Sequence, residues 1–167
     1  SELELPGFDP EAPLTLQLIQ ARWLYRMIHT RRPLVEKMAF VWHGHFATSI
    51  EKVKSVTLMW DQVETFRQLG LGSFEQLLLA VSQDPAMLVW LDNSKSKQEA
   101  PNENYGRELL ELFSLGVGNY SEDDVKAAAR AFTGWSIQLE ANTYVGDEDV
   151  DDKELMSEEE IKAKKKA

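Results

Sequence analysis

Between Pro13 and Phe132 apolar side chains return every three to four residues, a period that only α-helices can gather onto one buried face. Leu14, Leu18, Ile19, Trp23, Met27 and Ile28 give a first helix a broad apolar stripe. Pro33 suits the first turn of a second helix, where its missing N–H forfeits no hydrogen bond, and Leu34, Met38, Val41 and Trp42 follow at helical spacing. Ser55 is placed to cap a third helix through Val56, Met59, Trp60, Val63 and Phe66, with Gly70 at its stop. Ser73 with Gln76 has the form of a capping box, and Asp84-Pro85 joins a cap to a proline at the first helical position. Asn102 opens a further helix expected to run to about Gly116, and Ser121 with Asp124 opens the last. The polar stretch from Asp92 to Pro101 reads as a loop. The expected fold is therefore all-α, a single multi-helix orthogonal bundle of six or seven helices.

Beyond Gly134 the period changes. Trp135, Ile137 and Leu139 alternate with polar residues, and Tyr144 and Val145 follow a turn-like Ala141-Asn142, which predicts a small β-hairpin near 135–145. The helical domain is thus drawn over 1–145. From 146 to 167 an acidic and then basic tail follows, in which nine acids between Asp147 and Glu160 face only Lys153. With so little to bury it reads as a flexible segment or a surface helix.

Composition narrows the functions. A net charge of −10 argues against nucleic acid, whose phosphates require a basic face. No apolar run reaches the roughly 18 to 20 residues of a membrane span. Cysteine is absent, so no disulfide, thiolate nucleophile or zinc-finger site is expected. No Gly-rich phosphate loop, G-x-S-x-G elbow or H-E-x-x-H pair appears, which sets aside the common enzyme classes and leaves catalysis open.

Two segments carry residues able to do chemistry. His43 and His45 are candidate metal ligands or bases, but two helical positions apart they point about 200° from each other. One ion can be held by both only if the helix breaks, for which Gly44 offers a place. Glu103, Arg107, Glu108 and Glu111 crowd one helix start; Glu103 with Arg107, and Arg107 with Glu111, stand at pairing distance, while Glu108 falls beside Leu109 and Leu112. Glu108 is a candidate third ligand for a divalent metal with His43 and His45, or a general acid. Arg107 and Arg130 are candidates for neutralising an anion. Against this stands a purely structural reading: a core histidine, an ion-pair network that fixes helix packing, and a helix-terminal arginine.

The segments Arg32-Pro33-Leu34-Val35-Glu36-Lys37-Met38-Ala39-Phe40-Val41-Trp42-His43-Gly44-His45-Phe46 and Pro101-Asn102-Glu103-Asn104-Tyr105-Gly106-Arg107-Glu108-Leu109-Leu110-Glu111-Leu112-Phe113 occur in order with Tyr120 to Val125 and Ala129-Arg130-Ala131-Phe132-Thr133-Gly134-Trp135. Over roughly residues 14 to 137 the chain resembles the bacterial "domain of unknown function 1800" family. The resemblance implies a shortened or fragmentary member of an exported or periplasmic family, with a sulfatase-like protein encoded nearby as a partner; it implies no catalytic residues. Two functions follow: a metal- or anion-binding site of His, Glu and Arg between helices, or a non-catalytic exported scaffold or protein-binding module.

Overall fold

The computed structural model describes residues 6, 7, 9, 13–135 and 137. Among these the α-helices run in the order α1 Leu16–His29, α2 Pro33–Phe46, α3 Ile50–Val53, α4 Val56–Leu69, α5 Phe74–Ser82, α6 Pro85–Trp90, α7 Glu103–Glu108 and α8 Glu122–Ala131. The fold is all-α: the described residues form no strand, only an isolated bridge between Lys97 and Ala100. The hairpin expected near 135–145 and the tail expected over 146–167 lie outside the described residues, apart from Trp135 and Ile137. No described helix is long and apolar enough to cross a membrane.

Most helix starts are set by the caps the sequence offers. The side chains of Thr15, Ser55, Asp84 and Asn102 each accept a backbone N–H of the first turn, and Ser121 with Asp124 forms a complete capping box. The box expected at Ser73 and Gln76 does not form. Ser73 makes no side-chain cap bond, and α5 opens on the backbone bond from Leu77 N–H to the Ser73 carbonyl. Helix α3 escapes sequence reading because four residues are too few to show a period; Ser49 starts it by accepting from Glu51 N–H.

The Asn102 helix differs from expectation in a more informative way. After α7 the backbone widens into a π-helical turn over Leu109–Ser114, with Leu115 N–H donating to the Leu110 carbonyl at 2.8 Å. Tyr105, Leu109 and Phe113 stand four apart, a spacing that the wider turn keeps on the buried side. Phe113 thereby reaches the core while Leu112 stays exposed.

Helix α4 is the hub and touches α1, α2, α3, α5 and α6. On its inner side Phe66 stacks on Phe46 with ring centroids 5.7 Å apart, and Phe113 meets Phe46 edge-on at 5.1 Å. Leu77, Val81, Met87 and Tyr105 close this cluster. Truncating one such ring costs about 3–5 kcal/mol through lost burial and the cavity left behind. Helices α7 and α8 cross at Gly106, where a Cβ would lie 2.9 Å from the Val125 carbonyl and 3.0 Å from Ala129 N. Only glycine permits that approach.

Candidate functional site

Helix α2 runs through Pro33–Phe46 unbroken and closes on Ala47, whose φ of 51° is left-handed. Gly44 therefore provides no break, and the two histidines take the divergent directions that 3.6 residues per turn impose. His43 turns toward α1 and α4, edge-on to Trp23 at 5.7 Å and 6.5 Å from Phe66. Burial lowers its pKa. His45 turns toward the π segment, 6.2 Å from the Phe113 ring and with Nε2 3.4 Å from the Phe113 carbonyl. The two segments marked out by sequence do meet, through Phe46, His45 and Phe113, but their carboxylates take no part in the contact. Among the described residues no group of three or more His, Asp or Glu side chains is spaced to hold a metal ion.

The polar residues of 102–111 act within the fold. Asn102 donates its side-chain amide to the carbonyls of Leu91 and Asp92, and Asn104 donates to Leu91, so both asparagines hold the loop that follows α6. Tyr105 is buried and donates its hydroxyl to Ser82 Oγ at 2.6 Å. Arg107 makes two 2.8 Å bonds to Glu122 across to α8 and lies 3.7 Å from Glu103. The expected Arg107–Glu111 pair is absent, because the π turn moves Glu111 off the i,i+4 face, where it accepts from the Tyr120 hydroxyl. Glu108 is half-buried; burial first, and Glu111 second, raises its pKa. Arg130 is exposed at the end of α8 beside a hollow it shares with Glu103 and Lys126.

Sequence reading missed the polar groups most deeply placed. Arg26, on the buried stripe of α1, pairs with Glu64; Arg67 donates to Glu64 at 2.6 Å and to Glu36 at 2.9 Å. Arg26 and Glu36 are each 2% exposed, so this chain of four charges links α1, α2 and α4 inside the protein. Of these partners only Glu64 and Arg67 lie close in sequence, three apart on one helix. Second, Thr48 donates to Gln62 Oε1, and Gln62 Nε2 donates to Asp84 Oδ1 at 2.7 Å, joining the end of α2 to the cap of α6. Burial pushes the Asp84 carboxyl up to about 6 despite its bonds from Met87 N–H and Gln62.

Two surface features remain able to bind. Between α1, α2 and α4 lies a partly open cleft of about 230 Å³, walled by Ile19, Trp23, His43, Thr48, Trp60 and Val63 among others. On the outer side of α2, Leu34, Phe40 and Val41 are 57%, 61% and 53% exposed, and Leu24 and Ile28 of α1 are exposed as well. The family model for proteins of unknown function DUF1800 matches residues 9–165. This chain belongs to the DUF1800 family. No curated protein and no solved structure matches it. DUF1800 membership thus agrees with the family resemblance of the two helical segments without assigning either a chemistry.

Proposed function

We propose that this DUF1800 chain is a non-catalytic protein-binding module of an exported bacterial protein, and that the outer face of α2 is its contact surface. The observation that carries the reading is the exposed apolar part of α2, where Leu34 and Val41 stand one above the other and Phe40 lies about 100° round from Val41, each more than half exposed. Cations surround this part. From Leu16 to Phe46 the sequence has five Arg and Lys and one carboxylate, Glu36; Arg26 is buried against Glu64, and Glu36 is buried and paired to Arg67. Arg31, Arg32 and Lys37 are exposed, so the surface selects an apolar partner segment flanked by carboxylates. The family resemblance names the occupant to try, the sulfatase-like protein encoded nearby.

Co-expression of the two proteins with a tag on the sulfatase-like partner tests this. Stoichiometric co-purification is expected, lost in the double variant Phe40→Glu with Val41→Glu and weakened by Arg31→Glu with Arg32→Glu. Equal recovery of the apolar-face variant, or no recovery of the natural chain, would overturn the reading. The other reading, a divalent metal or anion held by His43, His45, Glu108 and Arg107, finds no supporting cluster among the described residues, and Arg107 is engaged by Glu122.

A further inference from the structure

Charge is spread unevenly along this chain. Over residues 1–15 four acids face no cation, and over 47–145 fourteen face eight, whereas over 16–46 one acid faces five cations. Three of those five, Arg31, Arg32 and Lys37, are exposed, and they enter no ion pair among the described residues. Lys37 is three residues from Leu34 and Phe40 and four from Val41, which places it within about 60° of each on the surface of α2. Cation and apolar side chains are thus interleaved on one face.

A matching pattern lies further along the same chain. Residues 147–160 carry nine carboxylates and Lys153, and Leu155, Met156 and Ile161 stand among these acids. With Lys162 and Lys164 to Lys166 counted, five lysines answer nine carboxylates and leave a surplus of four. Outside 16–46 the rest of the chain is itself acidic and repels that surplus. From Ile137, the last described residue, eighteen residues lead to Leu155 and can extend to about 60 Å. A domain of this size has a radius of gyration of about 14 Å, so the α2 face is within reach. A tether of this kind holds the segment at a millimolar effective concentration, enough to seat a contact too weak to form from solution.

We infer that residues 147–161 of this chain dock on the α2 face around Leu34, Lys37 and Val41. Resting on the same reading of that face as the contact surface, this docking adds its regulation: a partner binds by displacing the chain's own acidic segment.

The absence of cysteine lets a single label be placed at will. In the full chain, Ser157→Cys carrying a nitroxide is expected to broaden the amide NMR signals of Lys37, Phe40 and Val41 more strongly than those of Glu122, Asp123 and Asp124, the acidic first turn of α8. The excess should fall by more than half in about 0.5 M salt, where charges are screened beyond about 4 Å. It should be lost when Leu155→Ser, Met156→Ser, Glu158→Gln, Glu159→Gln and Glu160→Gln are added, with the helical circular dichroism unchanged. Equal broadening at α2 and α8, an excess that survives the five substitutions or the salt, or broadening that arises between copies when labelled chain is mixed with unlabelled isotope-enriched chain, would each overturn the inference. No partner protein enters this measurement, so its failure leaves the co-purification result standing, and failed co-purification leaves the docking measurable.

Discussion

Two corners of the bundle handle charge in opposite ways. Where α7 meets α8, the charges of Glu103, Arg107 and Glu122 lie at the surface, and the close approach is made by backbone at Gly106. Where α1, α2 and α4 meet, Arg26, Glu64, Arg67 and Glu36 are largely withdrawn from water. The first corner holds the clustered polar residues that catch the eye in the sequence, yet its charges could be lost with little effect. The second is barely visible in the sequence, and its charges are coupled to the fold. A cluster of charged letters on one helix therefore says less about burial than single charges that tertiary contact brings together.

The widest separation between the corners is expected from removing one carboxylate in each. Glu36→Ala takes one of its two carboxylates from the largely buried Arg67, which keeps Glu64, and should lower unfolding stability by about 1.5–3 kcal/mol. Glu122→Ala should change it little, because water replaces the lost partner of Arg107. Urea unfolding of both variants measures the contrast, and equal losses would erase it.

A pH scan sharpens the same contrast. The folded carboxyl of Asp84 titrates at about 6 against an unfolded value of 3.8, so the folded state holds the extra proton between them. Stability from this group is fully present below the unfolded value and is lost as pH rises through about 6, by about 3 kcal/mol in total. Asp84→Asn should flatten that decline in thermal unfolding followed from pH 4 to pH 7. Were the decline to persist unchanged, another group would be its source.

In the α7–α8 corner the sensitive positions should be those where backbone is held. Gly106→Ala is expected to cost about 1–3 kcal/mol, since the new methyl meets the Val125 carbonyl and Ala129 N, both main-chain atoms. Asn102→Ala, which removes a helix cap and two bonds to the loop after α6, should cost about 1–2 kcal/mol. Hydrogen exchange in α8 and in the 92–101 loop locates each loss.

The smallest effect is expected at His43. Its Nδ1 is buried without a hydrogen bond and its pKa is lowered, so stability tied to it is present above the ordinary histidine range and falls away in acid. His43→Leu should leave stability within about 1 kcal/mol at neutral pH and raise it below pH 6. A large loss at neutral pH would mean that the imidazole has a partner.

The helical class was legible because the 3.6-residue period is sustained and because Ser55, Asp84, Asn102 and Ser121 carry side chains that satisfy free N–H groups. The candidate site was legible only as residue types. That Arg107 would turn to Glu122 and Glu111 to Tyr120 depends on how α8 crosses α7 and on a change of helical pitch, which no residue at 109–114 announces. Arg26 is not legible as a buried charge, because a long cation on an apolar stripe looks like an exposed edge until its partner, 38 positions away, is known.

The wide turn at Leu109–Ser114 also bears on how this chain can change over time. Such a turn holds the slack of about one extra residue within a helix. Deleting Leu110 would draw the segment back to α pitch and, because the extra residue is taken up within the turn, leave the face that carries Phe113 directed at Phe46. Loss of one codon in this turn is therefore absorbed locally, whereas in a regular helix it would turn everything beyond by about 100°. Relatives that lack one residue at this segment are therefore expected to keep the helical faces on either side of it.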